Sequence, residues 1–156
     1  MNEHLLSLVL FTPLAGLLVL LFLPSRSKTL IKVWANLAAF AGFLVSLPLA
    51  MRFDKNAAGF QFVERADWIP TLGVKYYLGI DGISLLLIML TTVVGFLAIL
   101  SSWTAIEDRL KEYYAMFLLL QTGMLGVFMA LDFFLFYVFW ELVLVPMYFI
   151  IGVWGG

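Results

Sequence analysis

The fold of this chain is decided by the stretch Asp132–Gly152, which reads DFFLFYVFWELVLVPMYFIIG. A helix of these 21 residues would be roughly 31 Å long, which is about the thickness of the hydrocarbon core of a bilayer. Within it, Glu141 has eight apolar residues directly before it (Phe133–Trp140) and the five apolar residues Leu142–Pro146 directly after it. Because it lies nine residues after Asp132, its carboxyl group would sit roughly 13 Å deep, close to the middle of the membrane.

A charge at that depth costs on the order of 2.5–3.5 kcal/mol, and acids inside membranes therefore generally belong to ion or proton pathways. We interpret Glu141 as a proton carrier, and the alternative is a protonated Glu that only hydrogen-bonds a neighbouring helix. Tyr137 shares its helical face and is a candidate hydrogen-bond partner for the carboxylate or for water. Pro146 frees the carbonyl of Leu142 and would kink the helix beside the acid. Aromatic packing and an ordinary membrane-helix proline are the commoner explanations of these two residues.

The composition predicts an integral membrane protein. Hydrophobic residues make up 64% of the chain, charged residues make up 12%, and the mean hydropathy is +1.07. The net charge of −1 gives no indication of a nucleic-acid partner. The chain has no cysteine, and its single histidine, His4, lies at the terminus. These counts exclude a disulfide, a thiolate-held iron–sulfur cluster and an internal histidine metal site, so we expect no metal, cofactor or redox centre in this chain.

Apolar segments predict an all-α membrane fold, and the first of them is interpreted as a retained helix because Asn2 and Glu3 stand where a signal peptide would have basic residues. Ala38, Gly42 and Ser46 form a stripe of small residues for close helix packing. The predicted transmembrane helices are five, at about residues 5–23, 31–51, 83–103, 113–131 and 132–152.

The connection Arg52–Asp81 is the only long polar one. Alternating side chains around Phe62 and Tyr76 allow a short hairpin on the membrane surface. Lys and Arg are denser in the shorter loops, which predicts that the amino terminus and Arg52–Asp81 lie outside, with Pro24–Leu30 and Thr104–Glu112 inside.

Three further polar residues have predicted places. Asp81 and Asp132 are the expected N-caps of the third and fifth helices. Asp132 and Glu141 point to opposite helical faces, so they do not form an acid/base pair. Gln121, in the fourth helix, is expected to face protein, either in an interhelical hydrogen bond, which is the commoner explanation, or in support of a proton path.

Several short runs of this sequence resemble a known protein family. The runs Phe139-Trp140-Glu141-Leu142 and Val145-Pro146-Met147-Tyr148, with Gly152-Val153-Trp154-Gly155-Gly156, resemble the M-type antiporter-like subunit of respiratory complex I. That complex is the proton-translocating NADH:quinone oxidoreductase, and the mitochondrial counterpart of the subunit is NADH dehydrogenase subunit 4. Upstream, Trp68-Ile69-Pro70 and Leu78–Ser84 are similar to the same family.

The resemblance implies a mechanism in which Glu141 pairs with a lysine on a later helix to move protons. It implies a single membrane domain that is a fragment, with residues 1–112 as three leading helices and 113–156 as the start of the first of two inverted repeats. It places flavin, iron–sulfur clusters and quinone in other subunits. The implied partners are the L- and N-type antiporter-like subunits and smaller membrane subunits, in a bacterial inner membrane or an equivalent one.

Two alternatives stay open at this point. The chain could belong to a related cation/proton antiporter or membrane-bound hydrogenase. It could also be a structural membrane protein in which Glu141 is only an interhelical hydrogen-bond group.

Overall fold

The computed structural model describes residues 4–24, 26–53, 59–102 and 109–154. Two long helices come first, followed by a β-hairpin and then by three more helices. The predicted end of the third span at Trp103, most of the predicted loop Thr104–Glu112, and Gly155-Gly156 lie outside the described residues. The elements are α1 (Leu5–Leu20), α2 (Lys28–Arg52), β1 (Gln61–Ile69), β2 (Val74–Ile80), α3 (Gly82–Ser101), α4 (Leu110–Met129) and α5 (Phe133–Phe149), which a π-helical turn (Ile150–Trp154) continues.

The mostly helical membrane fold is confirmed, but five spans are not. Three helices in the described ranges are long and apolar enough to cross a membrane: Lys28–Arg52, Gly82–Ser101 and Phe133–Val153. Helix α1 is apolar but has only 16 residues, or roughly 24 Å, because it ends at Leu20 rather than at the predicted residue 23. Helix α4 begins with the charged pair Lys111 and Glu112 and holds polar residues at its centre, which lowers its hydropathy.

A small antiparallel sheet corrects the all-α assignment. Strands β1 and β2 pair with Arg65 opposite Tyr77 and Asp67 opposite Lys75. A 3-10 turn of three residues joins them and ends at Gly73, whose φ of 69° is in the left-handed region that glycine adopts without strain. The hairpin predicted from the alternating side chains is therefore present. The fold is not all-α, because the backbone hydrogen bonds between these two strands form a small sheet.

Helix α4 is the centre of the bundle and packs against α1, α3 and α5. Thr122 donates a hydrogen bond from its Oγ1 to the carbonyl of Leu10 in α1, at 3.1 Å. Helices α1 and α2 approach closely at Gly16, where an added Cβ would lie 2.6 Å from the Cβ of Ala38. Small residues therefore set the distance between α1 and α2. Small residues are typical of contacts between membrane helices, which the hydrophobic effect does not drive together.

The connections group at two ends of the bundle. At one end, β1 contacts the start of α1, and the N–H of Leu131 donates to the carbonyl of Tyr77 at 2.8 Å. At the other end, Lys111 Nζ donates to the carbonyls of Leu21 and Leu23, at 2.7 and 2.9 Å. The start of α1 and the hairpin therefore lie at the same end, as the predicted topology requires, while the assignment of that end to the outside stays a prediction.

Candidate functional site

Helix α5 begins where the sequence predicted, at the N-cap Asp132. Its Oδ1 accepts hydrogen bonds from the N–H groups of Phe134 and Leu135, at 2.9 and 3.1 Å. Its Oδ2 accepts a third from the N–H of Lys75 in β2, at 3.0 Å. This one carboxylate thus accepts from two backbone N–H groups that have no partner inside the helix and from one backbone N–H of the strand. The hairpin and the start of α5 are fixed together by this residue.

Two glycines of α4 set the rotation of α5 about its axis. The ring of Phe139 packs directly on Gly126, where an added Cβ would lie 2.3 Å from a ring carbon. Three residues earlier in α4, an added Cβ on Gly123 would lie 3.0 Å from the side chain of Val143. Because Phe139 and Val143 lie on the α4 side of the helix, residues two positions away in either direction point outward.

Glu141 occupies that outward face. Its side chain is exposed, and so is that of Tyr137, one turn earlier. The neighbours on the same face are also exposed: Phe134, Leu144, Val145 and Tyr148. The sequence predicted an acid buried in the middle of the membrane, but the described residues do not cover Glu141. Its surroundings are an apolar helix face, of which the ring of Phe134 contacts Trp68 of β1, with 6.0 Å between the ring centroids, while Leu144, Val145 and Tyr148 are exposed.

Glu141 has no hydrogen bond and no ion pair with any residue in the described ranges. Tyr137 Oη also makes no hydrogen bond there, so the two side chains share a face without being joined. A carboxylate on an apolar surface of membrane length needs either a proton or a partner from outside these residues.

Pro146 is buried, in contrast to the face that carries Glu141. It lies inside α5, and the helix changes to a π-helical turn four residues later, at Ile150. Proline removes a backbone donor, and single π-turns occur often at functional sites. The irregular backbone thus begins within three turns of Glu141, on the carboxyl-terminal side.

Gln121 faces α3 rather than α5. Its side chain is only 4% exposed, and it lies against Gly95, where an added Cβ would be 1.9 Å from the amide oxygen. Gly123 faces α5, and two residues along a helix turn the direction by about 200°. Gln121 therefore points from α4 towards α3, whereas Glu141 points outward from the far side of α5. The described residues do not bring these two predicted site residues together.

Glu64 is a carboxylate that the sequence did not single out. It is 7% exposed, and its two oxygens accept hydrogen bonds from the N–H and the hydroxyl of Ser7. The hydroxyl of Tyr76 lies 2.7 Å from Ser7 Oγ, and His4 Nδ1 lies 3.6 Å from Glu64 Oε1. Ser7 is the third residue of α1, so Glu64 satisfies an orphan donor at that helix start from another element. No local pattern around Glu64 signals this contact, since it joins residues 57 apart.

The pKa shifts at this end of the bundle have local causes. The N–H groups of Lys75, Leu135 and Phe134 lower the pKa of Asp132. The Ser84 N–H, which donates to Asp81 at the start of α3, lowers the pKa of Asp81 in the same way. Burial raises the pKa of Tyr76, so its phenol stays protonated at neutral pH.

Several known proteins are similar in sequence to this chain. The family model described as "NADH-ubiquinone oxidoreductase chain 4, amino terminus" matches residues 5–131. NADH-ubiquinone oxidoreductase chain 4 of Arabidopsis thaliana is 45% identical over 97% of this chain and 30% of its own length. NADH-quinone oxidoreductase subunit M of Rhodobacter capsulatus is 47% identical over 99% of this chain, again with 30% of its length. The F(420)H(2) dehydrogenase subunit M of Methanosarcina mazei is 42% identical over 92% of this chain and 30% of its own length.

Solved structures agree with the fold. A chain of respiratory complex I from Thermus thermophilus superposes with a TM-score of 0.77 at 27% identity, over 95% of this chain and 29% of that one. A chain of an archaeal membrane-bound sulfane sulfur reductase superposes with a TM-score of 0.70 at 21% identity, over 94% of this chain and 23% of that one, which shows the fold alone. The chain spans about 30% of the length of these curated relatives. It belongs to the family of NADH-ubiquinone oxidoreductase chain 4 and NADH-quinone oxidoreductase subunit M, as the Trp-Glu and Val-Pro-Met-Tyr runs of α5 predicted.

Proposed function

We propose that this chain is part of a proton-translocating membrane subunit of an NADH:quinone oxidoreductase, and that Glu141 is its proton carrier. One observation carries the proposal: Glu141 is exposed on an apolar face of a membrane-length helix, without a partner in the described ranges. A purely structural acid would be expected to have its hydrogen bonds within the packed bundle, as Glu64 does.

The proposed chemistry is proton uptake and release at the Glu141 carboxyl group. In hydrocarbon the neutral acid is favoured, and a cation brought close to it would favour the carboxylate. We propose that the cation is a lysine in the part of the relatives' length that this chain does not span. Moving that lysine towards or away from Glu141 would then release or bind the proton.

Three predicted site residues have supporting roles of different kinds. Tyr137, one turn before Glu141 on the same exposed face, can donate a hydrogen bond to the carboxylate or to water. Pro146 keeps one backbone carbonyl free of its helical donor and precedes the π-turn, which gives α5 a place to bend. Gln121 lies on another side of α4, so any part it has in the path is separate from the Glu141 face.

The redox chemistry is proposed to take place elsewhere. The described residues hold no group of three or more His, Cys, Asp or Glu that could bind a metal ion. We propose that flavin, iron–sulfur clusters and quinone belong to other subunits, that the membrane partners include the L- and N-type antiporter-like subunits, and that the complex lies in a bacterial inner membrane or an equivalent one.

The test is a set of substitutions in the full-length protein within its complex. Glu141→Gln keeps the size and hydrogen-bonding capacity of the side chain but removes the titrating group. We expect normal assembly on native gels, with loss of quinone reduction and of coupled proton uptake in membranes. Glu141→Asp should retain partial activity if water bridges the shorter side chain. Glu112→Gln, which removes an exposed carboxylate at the start of α4, is the matched control and should behave as wild type.

Wild-type proton uptake in an assembled Glu141→Gln complex would overturn the proposal. Loss of assembly in both Glu141 variants would favour the structural alternative.

A second candidate is a subunit of a related machine with another electron donor. The 42% identity to an F(420)H(2) dehydrogenase subunit M favours it. Both candidates use the same proton step at Glu141, so the discriminating measurement is which donor, NADH or reduced F420, drives quinone or other acceptor reduction in membranes that contain the full complex.

A further inference from the structure

Two neighbouring residues of β1, Glu64 and Arg65, carry opposite charges and lie on opposite sides of the hairpin. Glu64 pairs with Leu78, which is fully buried, and is itself only 7% exposed. Arg65 pairs with Tyr77 and is exposed, with its Cζ 5.2 Å from the centre of the Tyr77 ring. Because successive side chains of a strand point to opposite faces, a shift of β1 by one residue would exchange the two charges.

Regular pairing counted from the turn would place Arg65 on the inward side. The pair nearest the turn is Ile69 with Val74. Moving along both strands from that pair, one residue at a time, brings Arg65 opposite Leu78. The buried position would then hold a guanidinium group instead of a carboxylate.

A β-bulge at Trp68 changes this count. After the pair at the turn, the ladder continues with Asp67 opposite Lys75, so β1 has one residue, Trp68, that has no counterpart in β2. The extra residue moves the following pairings by one, and Glu64 takes the inward position. A second irregularity lies beyond Glu64, towards Gln61, and does not alter the pairings between Glu64 and the turn.

Contacts with the start of α5 hold both strands at the bulge. On β1, the ring of Trp68 meets that of Phe134 edge to face, with 6.0 Å between the centroids. On β2, the N–H of Lys75 donates to Asp132, the N-cap of α5, at 3.0 Å. Because α5 fixes each strand separately, β1 cannot slide along β2 by one residue while both contacts are kept.

The other register would leave the start of α1 without its acceptor. The N–H and the hydroxyl of Ser7 donate to Glu64, and His4 Nδ1 lies 3.6 Å from the same carboxylate. Arginine carries only donors, so Arg65 in this place could accept from none of these groups. Its charge would also lie at the positive end of the α1 dipole.

We propose that Trp68 is a positioning residue: by holding the bulge against α5, it selects Glu64 over Arg65 to face the start of α1. The ring contact, and not the turn, then decides the register of the hairpin. This role of Trp68 is independent of whether Glu141 carries protons.

Hydrogen exchange of the Ser7 N–H, measured in the full-length protein within its complex, tests the role of the ring. Trp68→Val removes the ring and suits a regular strand, so the register should shift, and exchange should become roughly tenfold faster, as expected for a lost helix cap. Trp68→Phe keeps an aromatic ring for Phe134 and should restore most of the protection. Leu72→Val, at an exposed position of the turn, is the matched control and should have no effect.

Deletion of Trp68 separates the register from packing. It removes the ring and the extra residue together, so the remaining residues can pair regularly with Glu64 still opposite Leu78. We therefore expect the Ser7 N–H to be much better protected in the deletion than in Trp68→Val. If Trp68 contributed only packing, the deletion would be at least as damaging as Trp68→Val, and that result would overturn the proposal. Wild-type protection in Trp68→Val would overturn it as well.

Thiol labelling reports which side residue 65 faces. Arg65→Cys introduces a thiol at an exposed position of this cysteine-free sequence, and a membrane-impermeant maleimide should label it readily. Combined with Trp68→Val, the labelling rate should fall several-fold, whereas combined with deletion of Trp68 it should stay high. Equal labelling of Arg65→Cys with and without Trp68→Val would contradict the proposed shift of register.

Discussion

Glu64 and Glu141 are two carboxylates with opposite surroundings in sequence and in structure. Glu64 comes from the most polar connection of the chain, yet it is buried and accepts two hydrogen bonds from Ser7. Glu141 comes from an apolar helix of membrane length, yet it is exposed and has no partner in the described ranges. The difference shows that partners, and not the local sequence, separate a structural acid from a candidate for proton transfer.

The two carboxylates are also positioned by different forces. Hydrogen bonds hold Glu64 at the start of α1, whereas packing of Phe139 and Val143 against two glycines of α4 determines where Glu141 points. Substitutions that act on packing or on hydrogen bonds should therefore affect one carboxylate and spare the other.

The largest effect is expected from Gly126→Ala. The added Cβ would lie 2.3 Å from the Phe139 ring, so α5 must move away or rotate, and the direction of Glu141 changes with it. We expect destabilisation of about 1–3 kcal/mol or more, with loss of assembled complex. The measurement is the thermal midpoint and the yield of the detergent-purified complex.

Gly42→Ala is the matched control, because this buried helical glycine has no atom within 4 Å of an added Cβ. It should be neutral or slightly stabilising, since alanine favours a helix over glycine by up to about 1 kcal/mol. Equal losses in the two variants would contradict the proposed role of close α4–α5 packing.

A smaller effect is expected from Glu64→Gln. One carboxylate oxygen becomes an N–H donor, so one of the two acceptors for Ser7 is lost together with the negative charge at the start of α1. We expect a loss of about 1–2 kcal/mol and faster hydrogen exchange of the Ser7 N–H. Asp67→Asn, an exposed change on the same strand, should have neither effect. An unchanged exchange rate in Glu64→Gln would show that the carboxylate is not the cap.

The smallest effect concerns pH and Asp132. Three backbone N–H groups lower its pKa, so the stabilisation is present above the ordinary pKa of an Asp side chain and is lost as the pH falls through the lowered value. Acid should therefore speed hydrogen exchange of the Leu135 N–H in wild type. Asp132→Asn should show faster exchange already at neutral pH and little further change on acidification. The same acid dependence in both proteins would contradict this assignment.

Much of the helical fold could be predicted because the decisive signals are local. Asp81 and Asp132 stand at helix starts, and the apolar runs that follow them have the length of a membrane span. The hairpin was visible in alternating side chains around Phe62 and Tyr76, although an all-α class overlooked it. The end of α1 was harder to predict, because the apolar run continues to Leu23 while the helix ends at Leu20. Helix α4 was harder because its charged start and its central polar residues lower its hydropathy.

The candidate site was predictable only in part, for a physical reason. Glu141 is conspicuous because its own helix gives it no polar neighbour, but which way it points depends on Gly123 and Gly126 of another helix. Gln121 was expected to face protein and does, yet its amide nitrogen has no partner in the described ranges, so the expected interhelical hydrogen bond is absent there. Glu64 escaped notice because its role exists only in the tertiary contact with Ser7.

The most direct test compares Glu141→Gln with Glu64→Gln in the full-length protein, by the number of protons moved per electron donor oxidised by each assembled complex. The account predicts that Glu141→Gln assembles in wild-type amount and moves few or no protons. Glu64→Gln should assemble in smaller amount, but each surviving complex should move the wild-type number. A wild-type proton ratio in Glu141→Gln would contradict the assignment of Glu141 as the proton carrier.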